Sequence, residues 1–252
     1  MARVDAVVIA GGTISNPELR SAAGVDCKSL IPLNGKPMVQ WVVEALKSAQ
    51  TISSVVLIGP PALAGMQFGR LADQVLAEET HEVDNLMKAA DVLTAAERIL
   101  MVSSDMPLLT AEAVDEFILN APDADVVYPA VPKEDILAQF PDRQWVFVKA
   151  REGEFTGSSA VMFRPEAFRN HQDTLRKVFD SRRSVPELVK MWGVGFALKF
   201  ALGQLSISDA ERHISEVLSI NGRAYISRYP ELAFDVDKAS DIPLAEERLR
   251  GR

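Results

Sequence analysis

Three stretches of the 252-residue chain carry residue types suited to handling phosphates. The first is Val7-Val8-Ile9-Ala10-Gly11-Gly12-Thr13, an apolar run that ends in two glycines. Lacking Cβ atoms, Gly11 and Gly12 let backbone N–H groups approach phosphate oxygens. The second is Met101-Val102-Ser103-Ser104-Asp105-Met106-Pro107, an apolar strand that ends on a carboxylate. Thr110 stands where the next helix starts, so Asp105 is not needed as its cap. The third is Phe234-Asp235-Val236-Asp237, near the C terminus. Read as a strand over 233–236, it carries the expectation that Asp235 and Asp237 take opposite faces and that only one easily joins Asp105. Simpler readings stand beside these. The glycine pair also suits a tight strand-end turn, Asp105 a turn aspartate, and Lys28 and Lys36 solvated lysines. Neither G-x-G-x-x-G nor G-x-x-x-x-G-K-[ST] is present.

The elements that must place these residues alternate. Strands are expected at Val4–Ala10, Val55–Ile58, Gln74–Ala77, Ile99–Ser103 and Val126–Val131. Helices are expected at Pro37–Ala49, Val83–Ala96 and Thr110–Leu119, the first with proline in its opening turn. Such alternation implies a largely parallel sheet covered on both faces, with ligands at the carboxyl ends of the strands. Beyond residue 140 the reading is of strands at Gln144–Ala150 and Ser159–Phe163 around a loop at 152–158. A helical insertion follows at about 165–218, then strands at Ala224–Arg228 and Ala233–Val236 and a closing helix at Ser240–Arg250. No linker or repeat interrupts the chain, so residues 1–252 are expected to form one domain.

Composition narrows the function. A formal charge of −8, with 48% hydrophobic and 25% charged residues, describes a globular protein with no nucleic-acid partner. Cys27 is the sole cysteine, so no internal disulfide forms. Asp5 interrupts the opening apolar stretch, and no apolar run reaches the roughly 20 residues of a membrane span, so the expected setting is cytoplasmic.

Ile9-Ala10-Gly11-Gly12, then Lys28-Ser29-Leu30-Ile31-Pro32-Leu33-Asn34-Gly35-Lys36-Pro37-Met38, then an amphipathic helix, resembles one superfamily. It is that of the nucleotidyltransferases that includes the molybdenum-cofactor guanylyltransferases and the sugar-1-phosphate nucleotidyltransferases. Asp235-Val236-Asp237-Lys238-Ala239-Ser240-Asp241 is similar to that superfamily's D/N-x-D/N-T-P-E-D, with Lys-Ala for Thr-Pro. The first loop departs from the usual G-G-x-S-x-R-M-G-x-x-K, because Lys28 lies sixteen residues after Gly12 and only Arg20 is left to stand for the arginine.

The resemblance implies a three-layer α/β, Rossmann-like fold of the nucleotide-diphospho-sugar transferase (GT-A) type. It implies phosphates on the amides of Gly11, Gly12 and Thr13, with Ala10 and Ser104 beside them and Lys28 offsetting charge at the α-phosphate. It implies Mg²⁺ on Asp105, with Asp237 as the partner by motif position and Asp235 as second choice. Two aspartates suffice, because Mg²⁺ keeps several waters. The loop at 78–85 would meet the base, where Asn85 offers both a donor and an acceptor; a solvated acidic loop is the alternative. Thr156, Gly157 and Ser158 would hold the acceptor or form a hairpin turn. Asp241 reads as a helix-start residue, and Cys27 and His81 as bystanders.

The expected activity is Mg²⁺-dependent transfer of a nucleoside monophosphate from a nucleoside triphosphate to a phosphorylated acceptor, with pyrophosphate released. Asp235-Val236-Asp237 is also formally a glycosyltransferase D-x-D, and the altered first loop also suits a nucleotide-binding regulator. In the insertion, Asp180-Ser181-Arg182-Arg183-Ser184 suits a phosphate or a helix cap. The apolar run 191–203 is expected to pack on the sheet or on a second subunit of a homo-oligomer; shaping an apolar acceptor pocket or touching a membrane are its other readings.

Overall fold

The protein was analysed as a computed structural model, which describes residues 3–181 and 184–251. Its first half contains β1 (Val4–Ile9), α1 (Pro17–Ala23), the short pair β2 (Pro32–Leu33) and β3 (Lys36–Pro37), α2 (Met38–Ser48), β4 (Ile52–Gly59), β5 (Gln74–Ala77), α3 (Glu82–Val92), β6 (Ile99–Ser103) and α4 (Ala111–Asn120). The second half contains β7 (Val126–Pro132), α5 (Lys133–Gln139), β8 (Val148–Ala150), β9 (Gly153–Gly157) and β10 (Ala160–Phe163). Five helices follow, α6 (Pro165–Asn170), α7 (Gln172–Ser181), α8 (Val185–Trp192), α9 (Val194–Ala201) and α10 (Ile207–Leu218). β11 (Gly222–Ile226) and α11 (Asp241–Leu249) complete the chain.

Among the described residues, nine strands form one sheet in the order β5-β4-β1-β6-β10-β7-β9-β8, with β11 also paired to β7. β5, β4, β1 and β6 run parallel; β10 and β9 run against their neighbours. The alternation of β1 explains the layers. Val4, Ala6 and Val8 face a core with α2 and α4, while Val7 faces a second core with α3. A third apolar cluster joins Ile14, Leu19 and Ile31 of the first loop to Phe234, Val236 and Leu249 of the C-terminal segment. It fixes two distant parts of the chain beside each other at the carboxyl edge of the sheet.

Several expectations need correction. The first loop holds a helix: Asn16 accepts hydrogen bonds from the amides of Glu18 and Leu19 at 2.9 and 3.2 Å, Pro17 opens α1, and Gly24 closes it at φ 68°. Residues 153–157, expected as a loop, are strand β9, because β7 and β8 take up its backbone groups on both sides. Residues 144–147 are not strand, and α5 follows β7 directly. Residues 234–237 are extended but carry no sheet ladder. The apolar run 191–203 lies outside the three apolar clusters: α9 has no fully buried side chain, and Val194 and Leu198 are 72% and 59% exposed, which leaves the expected second subunit as its partner untested. No described helix is long and apolar enough to cross a membrane.

Phe234 is fully buried and lies 5.0 Å from the Phe140 ring, centre to centre. Phe234→Ala is expected to lower the unfolding free energy by about 3–5 kcal/mol, read from urea denaturation, because the third cluster cannot close over the gap.

Candidate active site

The long first loop solves a placement problem. α1 is an excursion, and the chain returns antiparallel to its own start. Ile14 donates to the Asp26 carbonyl at 2.8 Å, and Thr13 and Cys27 form a bridge. Lys28 therefore lies beside the glycine pair although it stands sixteen positions after Gly12. Gly12 has φ 93°, a conformation that favours glycine. A Cβ on Gly11 would displace the Glu78 carboxylate, whose Oε2 would lie 1.6 Å away. Arg20 is spent on the loop, donating to the Ile14 carbonyl at 2.6 Å and pairing with Asp26 at 3.4 Å.

The Lys28 ammonium donates to Asp105 Oδ2 and to Asp237 Oδ1, each at 2.6 Å. The amide of Val236 donates to the Asp105 carbonyl at 2.9 Å, which docks the C-terminal segment onto the end of β6. Arg143 organises the other side. It donates to Asp241 Oδ1 at 2.9 Å, and to Asp235 Oδ1 at 3.0 Å and its carbonyl at 2.8 Å. Its guanidinium stacks on Trp145, 4.1 Å from the ring centre. Asp241 in turn accepts from the amides of Asp237 and Lys238 at 3.0 and 2.9 Å. The expected helix-start role of Asp241 thus understates it: the residue is buried and shapes the turn that presents Asp237.

Burial alone would push the Lys28 ammonium down, but the Asp105 and Asp237 carboxylates outweigh it and hold the group well above its ordinary value. Burial raises Asp235, and Asp237 and Asp105 raise it further against the opposing pull of Arg143. Burial also acts to raise Asp241, yet Arg143 and the two amides hold it below the usual carboxylate range. Four carboxylates (Asp105, Asp235, Asp237 and Asp241) here face two cationic side chains, Lys28 and Arg143. Such a group attracts a further cation.

The donor set fits Mg²⁺, which takes hard carboxylate oxygens and completes its shell with water and phosphate. Asp105 Oδ1 supports the fit, being buried with no hydrogen-bond partner among the described residues. A finished cage of three or more His, Cys, Asp or Glu side chains is not found among the described residues.

A cavity of about 800 Å³ draws most candidates together, Gly11, Gly12, Lys28, Ser104, Asp105 and Ser158 among them. Asp235 and Asp237 both line it, which corrects the expected opposite faces: residues two positions apart along a strand share a face, so both acids can meet Asp105. Asp235 is reached through Ser159, whose hydroxyl lies 3.3 Å from its Oδ2. Other candidates lie outside the lining. Asn85 is buried and holds the Glu79 backbone, accepting from its amide at 2.6 Å. Ala10 is buried under the loop, and its amide donates to Ile58 at 2.7 Å. Thr13 is exposed on the bridge to Cys27, while Thr156 and Gly157 sit within β9. The Ser158 hydroxyl donates to the Leu232 carbonyl and so supports the C-terminal segment. Lys36 pairs with Glu44 at 2.9 Å, away from the site. Arg182 and Arg183 lie outside the described residues, while Asp180 meets His81 at 3.3 Å. Sequence reasoning missed Arg143. Its partners lie more than 90 positions away, and nothing local marks it except Trp145.

This fold, with a glycine pair and four acids gathered at the carboxyl edge of its sheet, defines an α/β transferase. Residues 6–190 match the MobA-like NTP transferase domain, and the chain belongs to that family of nucleotidyltransferases. A curated relative, the bifunctional protein GlmU of Acidithiobacillus ferrooxidans, is 32% identical over 121 residues, which is 47% of this chain and 26% of that protein. The chain thus spans about a quarter of the length of the curated relatives it matches. A hypothetical transferase from Thermus thermophilus superposes with a TM-score of 0.86 at 33% identity, over 95% of this chain and 99% of that one. A CMP:2-keto-3-deoxy-manno-octonic acid synthetase complexed with CTP shares the fold, with a TM-score of 0.65 at 14% identity over 99% of each chain.

Arg143→Met is expected to cost about 3–5 kcal/mol near neutral pH, because it strands the buried Asp241 carboxylate. A carboxylate held low stabilises above its unfolded value of about 3.9, and that contribution is lost as pH falls through the folded value. The gap between variant and parent should therefore shrink below about pH 4, as thermal melts across pH will show.

Proposed function

We propose that the protein transfers a nucleoside monophosphate from a nucleoside triphosphate to a phosphorylated acceptor, such as a sugar, cofactor or alcohol phosphate, and releases pyrophosphate. An acceptor phosphate oxygen attacks the α-phosphorus; the bond from that phosphorus to the oxygen bridging to the β-phosphate breaks, and pyrophosphate carries the electron pair away. The observation that carries this reading is the Lys28 ammonium, 2.6 Å from both Asp105 and Asp237 and in one cavity with the glycine pair. The amides at Gly11 and Gly12 would bind phosphate oxygens, and Lys28 would pass from its carboxylates to the phosphates. Asp105 and Asp237 would hold Mg²⁺, which when bound neutralises charge on the triphosphate. Reactions of this class need positioning and charge neutralisation more than a protein nucleophile.

Asp235 and Asp237 both line the cavity, which favours a glycosyltransferase as the second reading. Release of a nucleoside diphosphate from a nucleotide sugar, with no pyrophosphate from any triphosphate, would establish it instead.

Screening nucleoside triphosphates against phosphorylated acceptors should give pyrophosphate release that stops with a chelator and returns with Mg²⁺. Asp105→Asn should lower that rate by about 100-fold or more, with a native circular dichroism spectrum and triphosphate binding retained. Glu78→Gln should act in the opposite sense on affinity. The Glu78 carboxylate lies against Gly11, so removing its charge should tighten pyrophosphate binding by about fivefold at low ionic strength, and by less in high salt, read by calorimetry.

A further inference from the structure

The cavity has a second wing. β6, β10 and β7 are neighbours inside the sheet, and they bury one face completely: Val102, Met162 and Val127 are at most 1% exposed. Their other face is only partly covered. Met101, Val161 and Val126 all line the cavity and stay partly open, with Met101 and Val161 directly opposite each other in the ladder. Strands in the interior of an α/β sheet are ordinarily sealed on both sides. Here α7 and α10 form the far wall with Val178, Phe179, Ile214 and Leu218, and space remains between wall and sheet.

This space is continuous with the phosphate-handling end and differs from it in kind. One end carries Lys28, Asp105, Asp237 and bare amides. From Met101 inward, the side chains of the sheet and the two helices present hydrocarbon, while the polar groups of Ser103, Ser159, Tyr128 and Glu82 line the rest of the cavity. A nucleobase needs donors and acceptors along its edge, and neither Met101, Val161 and Val126 nor the facing residues of α7 and α10 supply any. The void accordingly suits an amphiphile with a phosphate head and an apolar body.

We propose that the acceptor is a phosphomonoester with a hydrocarbon tail, alkyl or prenyl, and that the tail lies between the β6–β10–β7 face and helices α7 and α10. The identity of the acceptor rests on the nucleotidyl-transfer reading; the tail site itself does not.

The test is a chain-length series on the intact protein. Ethyl, butyl, hexyl and octyl phosphate, each below its micelle-forming concentration, are titrated by calorimetry. Each added methylene that leaves water should tighten binding by about threefold to fourfold until the space is full. Ile214→Trp, which fills the wing, should flatten the series and weaken octyl phosphate at least tenfold, with a melting curve confirming the fold. A flat series on the parent protein overturns the proposal. So does a steep series that Ile214→Trp leaves intact, since the tail would then lie elsewhere. Pyrophosphate release separates the two claims. Turnover with polar sugar phosphates and a flat series sinks the tail site alone. A steep series with no turnover for any triphosphate sinks the transfer reading alone.

Discussion

One ammonium between two carboxylates organises this protein. Lys28 comes from the first loop, Asp105 from the middle of the sheet and Asp237 from near the C terminus, and the ammonium lies 2.6 Å from both acids. The group is partly buried, so the attraction is screened less than at an open surface. It also leaves a cationic group beside phosphate-sized space, ready to trade one anionic partner for another. On the proposed reading, a triphosphate with its own cation would offer that trade: the phosphates would take the ammonium, and Asp105 and Asp237 would hold the metal.

Most of the surrounding structure serves this convergence. The return of the chain after α1 brings residue 28 back to residue 12. The third apolar cluster presses the first loop and the C-terminal segment together, and the Val236 amide bonds to the Asp105 carbonyl. Arg143 then neutralises Asp235 and Asp241 from behind, so four acids share one edge without driving the segment apart. The cost is a buried network in which each member depends on the others, and that is why its pieces come from elements far apart in sequence.

The first half of the fold was readable from the sequence because period and punctuation agree there. β5 and β6 fall where the apolar runs place them, and Thr110 caps α4, accepting from Ala113 at 3.1 Å. The candidate site was readable wherever a residue ends a strand, as Gly11 and Asp105 do. Failures came where tertiary partners decide. Residues 153–157 begin and end with glycine and look like a turn, yet two neighbouring strands make them β9. Residues 234–237 alternate like a strand yet find no neighbour, and Asp235 and Asp237, two positions apart, face one cavity as a period of two allows, against the expectation that they would be opposed. The helix in the first loop did leave a local trace, Asn16-Pro17 at one end and Gly24 at the other, too short to show a hydrophobic period. Arg143 left none that a pattern could catch.

The central claim concerns where a triphosphate and its cation go. Crystals grown with a non-hydrolysable triphosphate analogue and Mn²⁺, measured for anomalous scattering, test it most directly. The account predicts an Mn²⁺ peak bound by Asp105 and Asp237, phosphate density over Gly11 and Gly12, and the Lys28 ammonium moved onto phosphate. Density for the analogue at another face of the sheet, with Lys28 still clamped between its two acids, would contradict it.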